Sequence, residues 1–393
     1  MKRDRAQDLI RTEPAPPRPE LTPAADRYAS LDIARGIIMI IMALDHASLA
    51  WNAGRPALCL EGAVGFPPVE YGNWLQQLTR EVTHICAPGF QFLAGMGLAI
   101  SVWRRERRGR SQWQISGDML LRGLVLCFCE FVLLYYVYGQ IPFFFAVLAC
   151  IGCNIILFSV LRKLPLGAIA ALCVAVILLA PFYAQDEAVT PSAASYPVNI
   201  LFNITLAAPW RFCVMYPILP WIACFGLGWC FGVLYERGDL PQGNRLAAFG
   251  GTMIAAAFLL RWFGGGYADR LPIGDGPASA AFWKISKYPP SPVFLIATLG
   301  ATAVMVGLLR PLDHSSRLSR AWKPAITYGR VALFFYVVHF FLYGTYPIAT
   351  GTKSQYRLAT TYAAWVAGLI VMILPCHFYH RLRTRYRRFL RYF

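Results

Sequence analysis

The sequence is divided into ten apolar blocks of about 20 residues, separated by polar segments. About 20 apolar residues are what an α-helix needs to cross the ~30 Å hydrocarbon core of a bilayer. Hydrophobic residues make up 57% of the 393 positions and charged residues 15%, which is typical of membrane proteins. We therefore expect an all-α, polytopic membrane helix bundle of about ten transmembrane helices in contact with lipid. The blocks are residues 31–51, 82–103, 119–137, 141–161, 166–182, 212–234, 246–263, 293–309, 326–346 and 358–380.

The basic residues predict how the bundle is oriented. When successive segments are assigned to alternate sides, 25 Lys and Arg residues fall on the side of the termini and 8 on the other side. Cytoplasmic segments are enriched in Lys and Arg, so both termini are predicted to be cytoplasmic. The net charge of +17 is explained by this topology and does not require a nucleic-acid partner. Four longer segments, 52–81, 184–211, 264–292 and 347–357, are then expected to face outward.

The apolar blocks also define the domain organisation. Residues 1–29 carry six basic residues and five prolines, which predicts a disordered cytoplasmic tail. Residues 30–380 form the predicted transmembrane domain, and residues 381–393 form a basic cytoplasmic tail.

The first block belongs to the stretch SLDIARGIIMIIMALDH, which has polar residues at both ends. Ser30 is a candidate helix cap, and Asp32 lies three residues before Arg35, within reach of an ion pair. His46 follows Asp45 and lies roughly 21 Å along the helix from Asp32, within the thickness of the hydrocarbon core. Ionisable side chains at such depth are candidate functional residues.

The second block carries another histidine near the outward face. His84 lies four residues before Pro88, which removes the amide that would bond the His84 carbonyl, so a kink is expected there. Because the first two helices run in opposite directions, His46 and His84 are predicted to meet. The alternative for each is a histidine packed in a helix interface.

Further candidates lie in later blocks. Asp45 and His46 diverge by about 100° around a helix, so the imidazole needs another partner. Glu130 is one candidate, and Arg122 lies two turns before it, although snorkelling would also explain Arg122. His339 is an intramembrane histidine with either a packing or a functional role, and Lys287 opens the Pro-rich outward segment KYPPS.

Several classes of site are missing from the sequence. It contains no phosphate-binding glycine loop, no metal-ligand spacing, no GxSxG elbow and no nucleic-acid motif. Chemistry is therefore expected to use histidine, carboxylate and bound reagents, without a metal.

The chain resembles the bacterial branch of the heparan-alpha-glucosaminide N-acetyltransferase catalytic-domain family, within the transmembrane acyltransferase superfamily. Arg35, Gly36 and His46 fit the Arg-Gly to His pattern of that superfamily. The other matching segments, in order, are THICAPGFQFLAGMG, LRGLVLCFCE, PILPWIACFGLGW, KYPPS and YGRVALFFYVVH. The resemblance implies an enzyme of the plasma (bacterial inner) membrane. It would transfer an acetyl or other acyl group from cytoplasmic acetyl-CoA to a sugar amine or hydroxyl of an envelope glycan on the outer face.

The sequence departs from the animal lysosomal members at one position. Those proteins carry a histidine in the lumenal stretch after the first helix, whereas no histidine occurs here between Ala47 and Thr83. Since that histidine is absent here, the resemblance implies that His46, or else His84, acts as the general base in acetyl transfer.

The remaining candidates receive supporting roles in this hypothesis. Asp45 and Glu130 would hold the imidazole tautomer or balance its charge. Arg35 and Arg122, with the basic cluster at 104–110, would bind the CoA phosphates. Lys287 and His339 are further substrate- or donor-binding candidates.

Two other classes fit the same residues. A transporter or flippase for a glycan or small anion would also use buried ionisable groups, although no second copy of the Arg-Gly to His pattern is present. A structural membrane subunit is the third class, but in such a protein the buried ionisable groups would lower stability without serving a function. A homo-oligomer is compatible with each class.

Overall fold

A computed structural model describes residues 28–55, 70–135, 141–183, 196–203, 205–207, 212–315, 319–386 and 390. The predicted N-terminal tail lies almost wholly outside these ranges, as do most of the outward segment 184–211 and much of the C-terminal tail.

The described chain is a bundle of helices, and the all-α polytopic expectation is confirmed. The helices are α1 Ala29–Trp51, α2 Trp74–Thr83, α3 Cys86–Arg107, α4 Gln112–Phe128, α5 Val147–Leu161, α6 Leu166–Tyr183, α7 Tyr196–Phe202, α8 Ile218–Arg237, α9 Gly243–Phe263, α10 Gly265–Ala268, α11 Pro292–Leu309, α12 Lys323–Arg330, α13 Ala332–Ala349 and α14 Leu358–Arg385.

Each of the ten apolar blocks contains helix, but within the described ranges eight helices are long and apolar enough to cross a membrane. The third block forms the 17-residue α4 and continues into a π-helical turn, Cys129–Leu133. The fourth block forms α5, which has 15 residues and is shorter than a standard span.

Two predicted spans are interrupted. The second block is broken at His84 and Ile85, between α2 and α3, where Pro88 predicted a kink. The ninth block, predicted as one helix, is broken at Val331 between α12 and α13. The short α12 packs tightly against α1 here: a Cβ at Gly329 would collide with the Asp32 carbonyl oxygen.

The predicted Ser30 cap is wrong. Helix α1 begins at Ala29 after Tyr28, and Ser30 lies inside its first turn. Asp313, in the 3₁₀ turn Arg310–His314 after α11, accepts hydrogen bonds from the Ser30 amide (2.8 Å) and hydroxyl (2.6 Å). A carboxylate from a distant segment therefore satisfies this helix end, where negative charge is favoured.

The helices divide into an inner and an outer set. Most of the surface of α1, α3, α8 and α11 is buried, whereas α6, α9, α13 and α14 expose most of theirs. Exposed apolar side chains such as Leu374 and Phe378 on α14 are what a lipid-facing surface requires.

A small sheet completes the structure near the Trp51 end of α1. Strand β1 is Phe143–Phe145, β2 is Thr205–Ala207 and β3 is Phe212–Val214. The order is β1-β3-β2, with β1 parallel and β2 antiparallel to β3. Phe143 lies opposite Phe212, and their rings stack with centroids 4.8 Å apart.

Candidate active site

Two cavities lie at opposite ends of α1. The arginine cavity, of about 690 Å³, lies at the Tyr28 end and is lined by Asp32 and Arg35. The histidine cavity, of about 360 Å³, lies toward the Trp51 end and is lined by Asp45 and His46. Phe90 lines both cavities, so the two spaces adjoin at this side chain.

Helix α3 connects the cavities along one face. Its lining residues recur every three or four positions, so they form a single stripe on the helix. The stripe begins with Cys86, Ala87 and Phe90 in the histidine cavity and continues in the arginine cavity with Phe90, Leu93, Ala94, Gly97, Ile100, Ser101, Arg104 and Arg105. A single helix face thus runs from the histidine cavity to the arginine cavity.

The imidazole of His46 is paired with that of His339. Nδ1 of His46 lies 2.6 Å from Nε2 of His339, which comes from α13. Nδ1 of His339 lies 3.0 Å from the carbonyl oxygen of Phe335 on the same helix. His339 is fully buried, and the His46 ring also packs on Phe340 with ring centroids 4.2 Å apart.

These contacts fix the tautomers when both rings are neutral. The Phe335 carbonyl can only accept, so Nδ1 of His339 carries the proton and its Nε2 accepts. Nδ1 of His46 must then be the donor of the 2.6 Å bond. The lone pair of His46 lies on Nε2, which has no hydrogen-bond partner among the described residues. A half-buried imidazole with a free lone pair is the arrangement of a general base.

Asp45 does not bond to His46, as their divergence on the helix predicted. Its Oδ1 accepts from Arg55 (2.8 Å), Arg80 (3.0 Å) and Thr83 (2.8 Å). Asp45 therefore anchors two guanidinium groups at the histidine cavity, and does not orient the imidazole.

Lys287 adds a third cation to this cavity. Its side chain is almost fully buried, and its Nζ lies 5.0 Å from the ring centroid of Tyr288 and 5.6 Å from that of Tyr216. The two tyrosine hydroxyls are 3.1 Å apart. With Asp45 as the acidic lining residue, the described cavity wall has an excess of positive charge.

The small sheet forms part of the wall of the histidine cavity. Phe144 of β1 and Cys213 of β3 both line it, together with Ile141 and Met215 beside the strands. The parallel pairing of β1 with β3 therefore contributes part of the cavity wall.

The arginine cavity is strongly basic. Within the described ranges, Asp32 is its one acidic lining residue, against seven arginines: Arg35, Arg104, Arg105, Arg108, Arg122, Arg330 and Arg383. The predicted Asp32–Arg35 pair is present at 3.6 Å, and Arg330 approaches the other Asp32 oxygen at 3.2 Å. Arg104 pairs with Glu236 at 2.9 Å.

Arg122 has no such carboxylate among the described residues. Arg35, Arg105 and Arg383 line the same cavity as Arg122, and all three are cationic. An exposed guanidinium surrounded by others repels its neighbours until an anion binds. The cavity is therefore suited to a ligand with several negative charges.

His84 lies apart from this arrangement. It follows the end of α2, with Nδ1 3.0 Å from Glu81 Oε2 and its ring edge-on to Phe294. The expected meeting of His46 and His84 is wrong, because the break after α2 leaves His84 beside α11 and His339 takes the place beside His46.

Glu130 is also placed elsewhere. Its Oε2 accepts hydrogen bonds from the amides of Leu148 (2.7 Å) and Ala149 (3.1 Å) at the start of α5. A buried carboxylate in this position satisfies the first amides of a helix and interacts favourably with its dipole. The structure gives Glu130 a capping role in place of the predicted contact with the imidazole.

Several residues of the site were not anticipated from the sequence. Arg55 and Arg80 fall in polar segments and had served only to assign topology, and Phe90 is one of 26 phenylalanines. The three-to-four spacing from Cys86 to Arg105 was the available signal, because it places these residues on one face. Within the described ranges, no group of three or more His, Cys, Asp or Glu side chains could hold a metal.

These features define the class: a polytopic membrane protein in which two cavities, each lined in part by charged residues, adjoin within the helix bundle. The sequence profile of the heparan-alpha-glucosaminide N-acetyltransferase catalytic family matches residues 27–260. Because this is more than half of the chain, the protein belongs to this family of membrane acetyltransferases. The matched region includes His46 and all of α3, whereas Lys287 and His339 lie beyond it. No curated protein matches the chain significantly.

Proposed function

We propose that this protein is an acetyltransferase of the plasma (bacterial inner) membrane. It takes the acetyl group from acetyl-CoA on the cytoplasmic side and delivers it to a sugar amine or hydroxyl of an envelope glycan at the outer face. The main support for this proposal is that the arginine and histidine cavities adjoin at Phe90, along one face of α3.

The positive charge of the arginine cavity supports acetyl-CoA as the donor. The phosphate groups of CoA are polyanionic, and arginine is the residue best suited to hold phosphate oxygens bidentately. Seven arginines line the cavity at the Tyr28 end. The uncharged pantetheine arm would then extend past Phe90 and bring the thioester to His46, so no phosphate has to enter the apolar part of the path.

The reaction follows from the free lone pair on His46 Nε2. As the acceptor oxygen or nitrogen attacks the thioester carbonyl, Nε2 takes its proton. The new C–O or C–N bond forms, the C–S bond breaks, and the imidazolium returns the proton to the departing CoA thiolate. Histidine is suited to this role near pH 7, and holding both substrates in one cavity supplies much of the remaining acceleration.

Three other residues support this step. His339 is a positioning residue, because its bond to Phe335 holds His46 in the reactive tautomer. Asp45 keeps Arg55 and Arg80 at the cavity wall. Lys287 presents a buried ammonium to the acceptor side.

The donor assignment is tested by acetyl-CoA binding to purified protein. Arg122→Gln keeps a polar side chain but removes the guanidinium charge, and one charge-assisted hydrogen bond is worth ~1.5–3 kcal/mol. After allowance for solvent screening at this exposed position, we expect Kd to rise about tenfold. Arg245→Gln, on the exposed start of α9, is the matched control. Equal Kd values for both variants and the wild type would contradict the assignment.

A second experiment separates the enzyme from a transporter. Proteoliposomes are given acetyl-CoA labelled in the acetyl group on the Tyr28 side and amino sugars on the other. The enzyme transfers label to the sugar and releases CoA thiol in equal amounts. Sugar or anion movement without thiol release would instead identify a transporter or flippase.

A further inference from the structure

A third cavity, of about 350 Å³, lies between α1 and α13, and we call it the side groove. His46, Leu49 and Phe340 line both the side groove and the histidine cavity, so the two spaces meet at the base. The remaining lining residues are Ala50, Phe341, Tyr343, Gly344, Thr345, Ile348, Ala349 and Lys353.

The side groove is apolar where it adjoins the base. Thr345 donates its hydroxyl to the carbonyl of Phe341, so this side chain is already satisfied. Lys353 lies beyond the end of α13, at the far end of the groove. The groove therefore has few polar groups for the hydroxyls of a sugar, and an unpaired sugar hydroxyl in such surroundings is unfavourable. Its chemistry selects an aliphatic occupant that reaches His46.

We propose that the side groove holds the acyl chain of the donor thioester, so that the protein accepts acyl groups longer than acetyl. This inference rests on the proposed function, since it requires the thioester carbonyl to lie at His46. The carbonyl carbon stays in the histidine cavity while the chain passes Leu49 and Phe340. The reaction is unchanged: the acyl C–S bond breaks and the acyl C–O or C–N bond forms.

The volume of the side groove is sufficient for a medium-length acyl chain. An apolar cavity of about 150 Å³ holds one benzene ring, which has six carbons. The side groove, at about 350 Å³, is more than twice as large. By this scaling, a straight acyl chain of about eight carbons fits with room to spare.

The experiment is a binding ladder with acetyl-, butyryl-, hexanoyl- and octanoyl-CoA, measured on the full chain in nanodiscs, with empty nanodiscs subtracted. Each buried methylene is worth ~0.8 kcal/mol, which corresponds to about fourfold in Kd. We expect Kd to fall with each added methylene by up to this factor as far as octanoyl-CoA.

A variant that fills the groove gives the decisive comparison. A Cβ at Gly344 would meet just the Ile348 Cδ1 at 3.6 Å, so a side chain can be added there without a collision. Gly344→Leu should therefore reduce the ratio of acetyl-CoA Kd to octanoyl-CoA Kd at least tenfold. Gly251→Leu is the matched control, because Gly251 is exposed on α9 and a Cβ there meets nothing within 4 Å.

Each outcome has a distinct meaning. If acetyl-CoA itself does not bind, the proposed function fails and the inference fails with it. If acetyl-CoA binds and Kd does not depend on chain length, the proposed function stands and the groove assignment is overturned. If Kd falls with chain length equally in Gly344→Leu and the control, the chain binds elsewhere and the assignment is again overturned.

Discussion

The hydrogen bond between the two histidines leads to a quantitative prediction for His339. His339→Ala removes the acceptor of the 2.6 Å bond, so the His46 proton is no longer held on Nδ1. Partners that orient an essential histidine typically contribute about 10–100-fold, as shown for metal-ligating histidines. We therefore expect kcat to fall about 10–100-fold, against about 10²–10⁴-fold for His46→Ala, which removes the base itself.

The conservative variant His339→Gln should recover much of the loss. Its amide oxygen can accept from His46 Nδ1 while its NH₂ group donates to the Phe335 carbonyl. Both bonds of the native histidine are then replaced by a neutral side chain. A residue with a packing role alone would show no such preference for Gln over Ala.

Stability must be measured separately from rate. His339 is fully buried, and its removal leaves the His46 N–H without its partner, whereas the Phe335 carbonyl still accepts the backbone amide of residue 339 within α13. Each unsatisfied buried group costs about 1–3 kcal/mol. The thermal midpoint should therefore fall for His339→Ala, and acetyl transfer must be expressed per folded molecule.

The assay is transfer of labelled acetyl from acetyl-CoA to amino sugars by purified variants in proteoliposomes. In the double variant His46→Ala/His339→Ala, the second substitution should cost almost nothing, because a positioning residue acts through the base. Additive losses would refute the reasoning, and so would full activity of folded His339→Ala.

Three further predictions concern residues away from the two histidines. Gly97→Leu should weaken acetyl-CoA binding, because a Cβ there collides with the guanidinium of Arg35; unchanged binding would exclude Arg35 as a donor contact. Glu130→Ala should lower the free energy of unfolding by about 0.5–2 kcal/mol through the lost helix cap, with little change in rate per folded molecule. A large loss of rate per folded molecule would instead indicate a catalytic role for Glu130. A cysteine replacing Arg107 should react with impermeant thiol reagents from the cytoplasmic side alone, and labelling from outside would overturn the predicted topology.

Much of the fold could be predicted because the bilayer imposes a local rule. Every spanning helix must satisfy its own backbone over a fixed thickness, so length and hydropathy identify it. The Asp32–Arg35 pair and the interruption before Pro88 were predictable for the same reason, since each depends on residues within one helical turn.

The pairing of the histidines could not be predicted in this way. His46 and His339 are separated by 293 positions, and no local pattern records that separation. The expected partner His84 was nearer in sequence, but the break after α2 places it beside Phe294. Glu130 was misassigned because a buried carboxylate suggests catalysis, whereas here it satisfies the first amides of α5.

In the proposed mechanism, the position of the two cavities at opposite ends of α1 explains how a cytoplasmic donor could serve an outer acceptor. A charged group in the hydrocarbon core is costly in free energy. Moving the CoA phosphates across the membrane would therefore greatly raise the free-energy barrier to transfer. In this mechanism the arginine cavity instead retains the anionic end of the donor, and the contact at Phe90 admits its uncharged end. In the proposed mechanism the acetyl carbon is therefore the part of the donor that reaches His46, and after the C–S bond breaks CoA can leave by the side from which it came. A substitution of Phe90 should therefore affect donor binding and acetyl transfer differently. A larger side chain there should leave phosphate binding intact while slowing the arrival of the thioester at the imidazole.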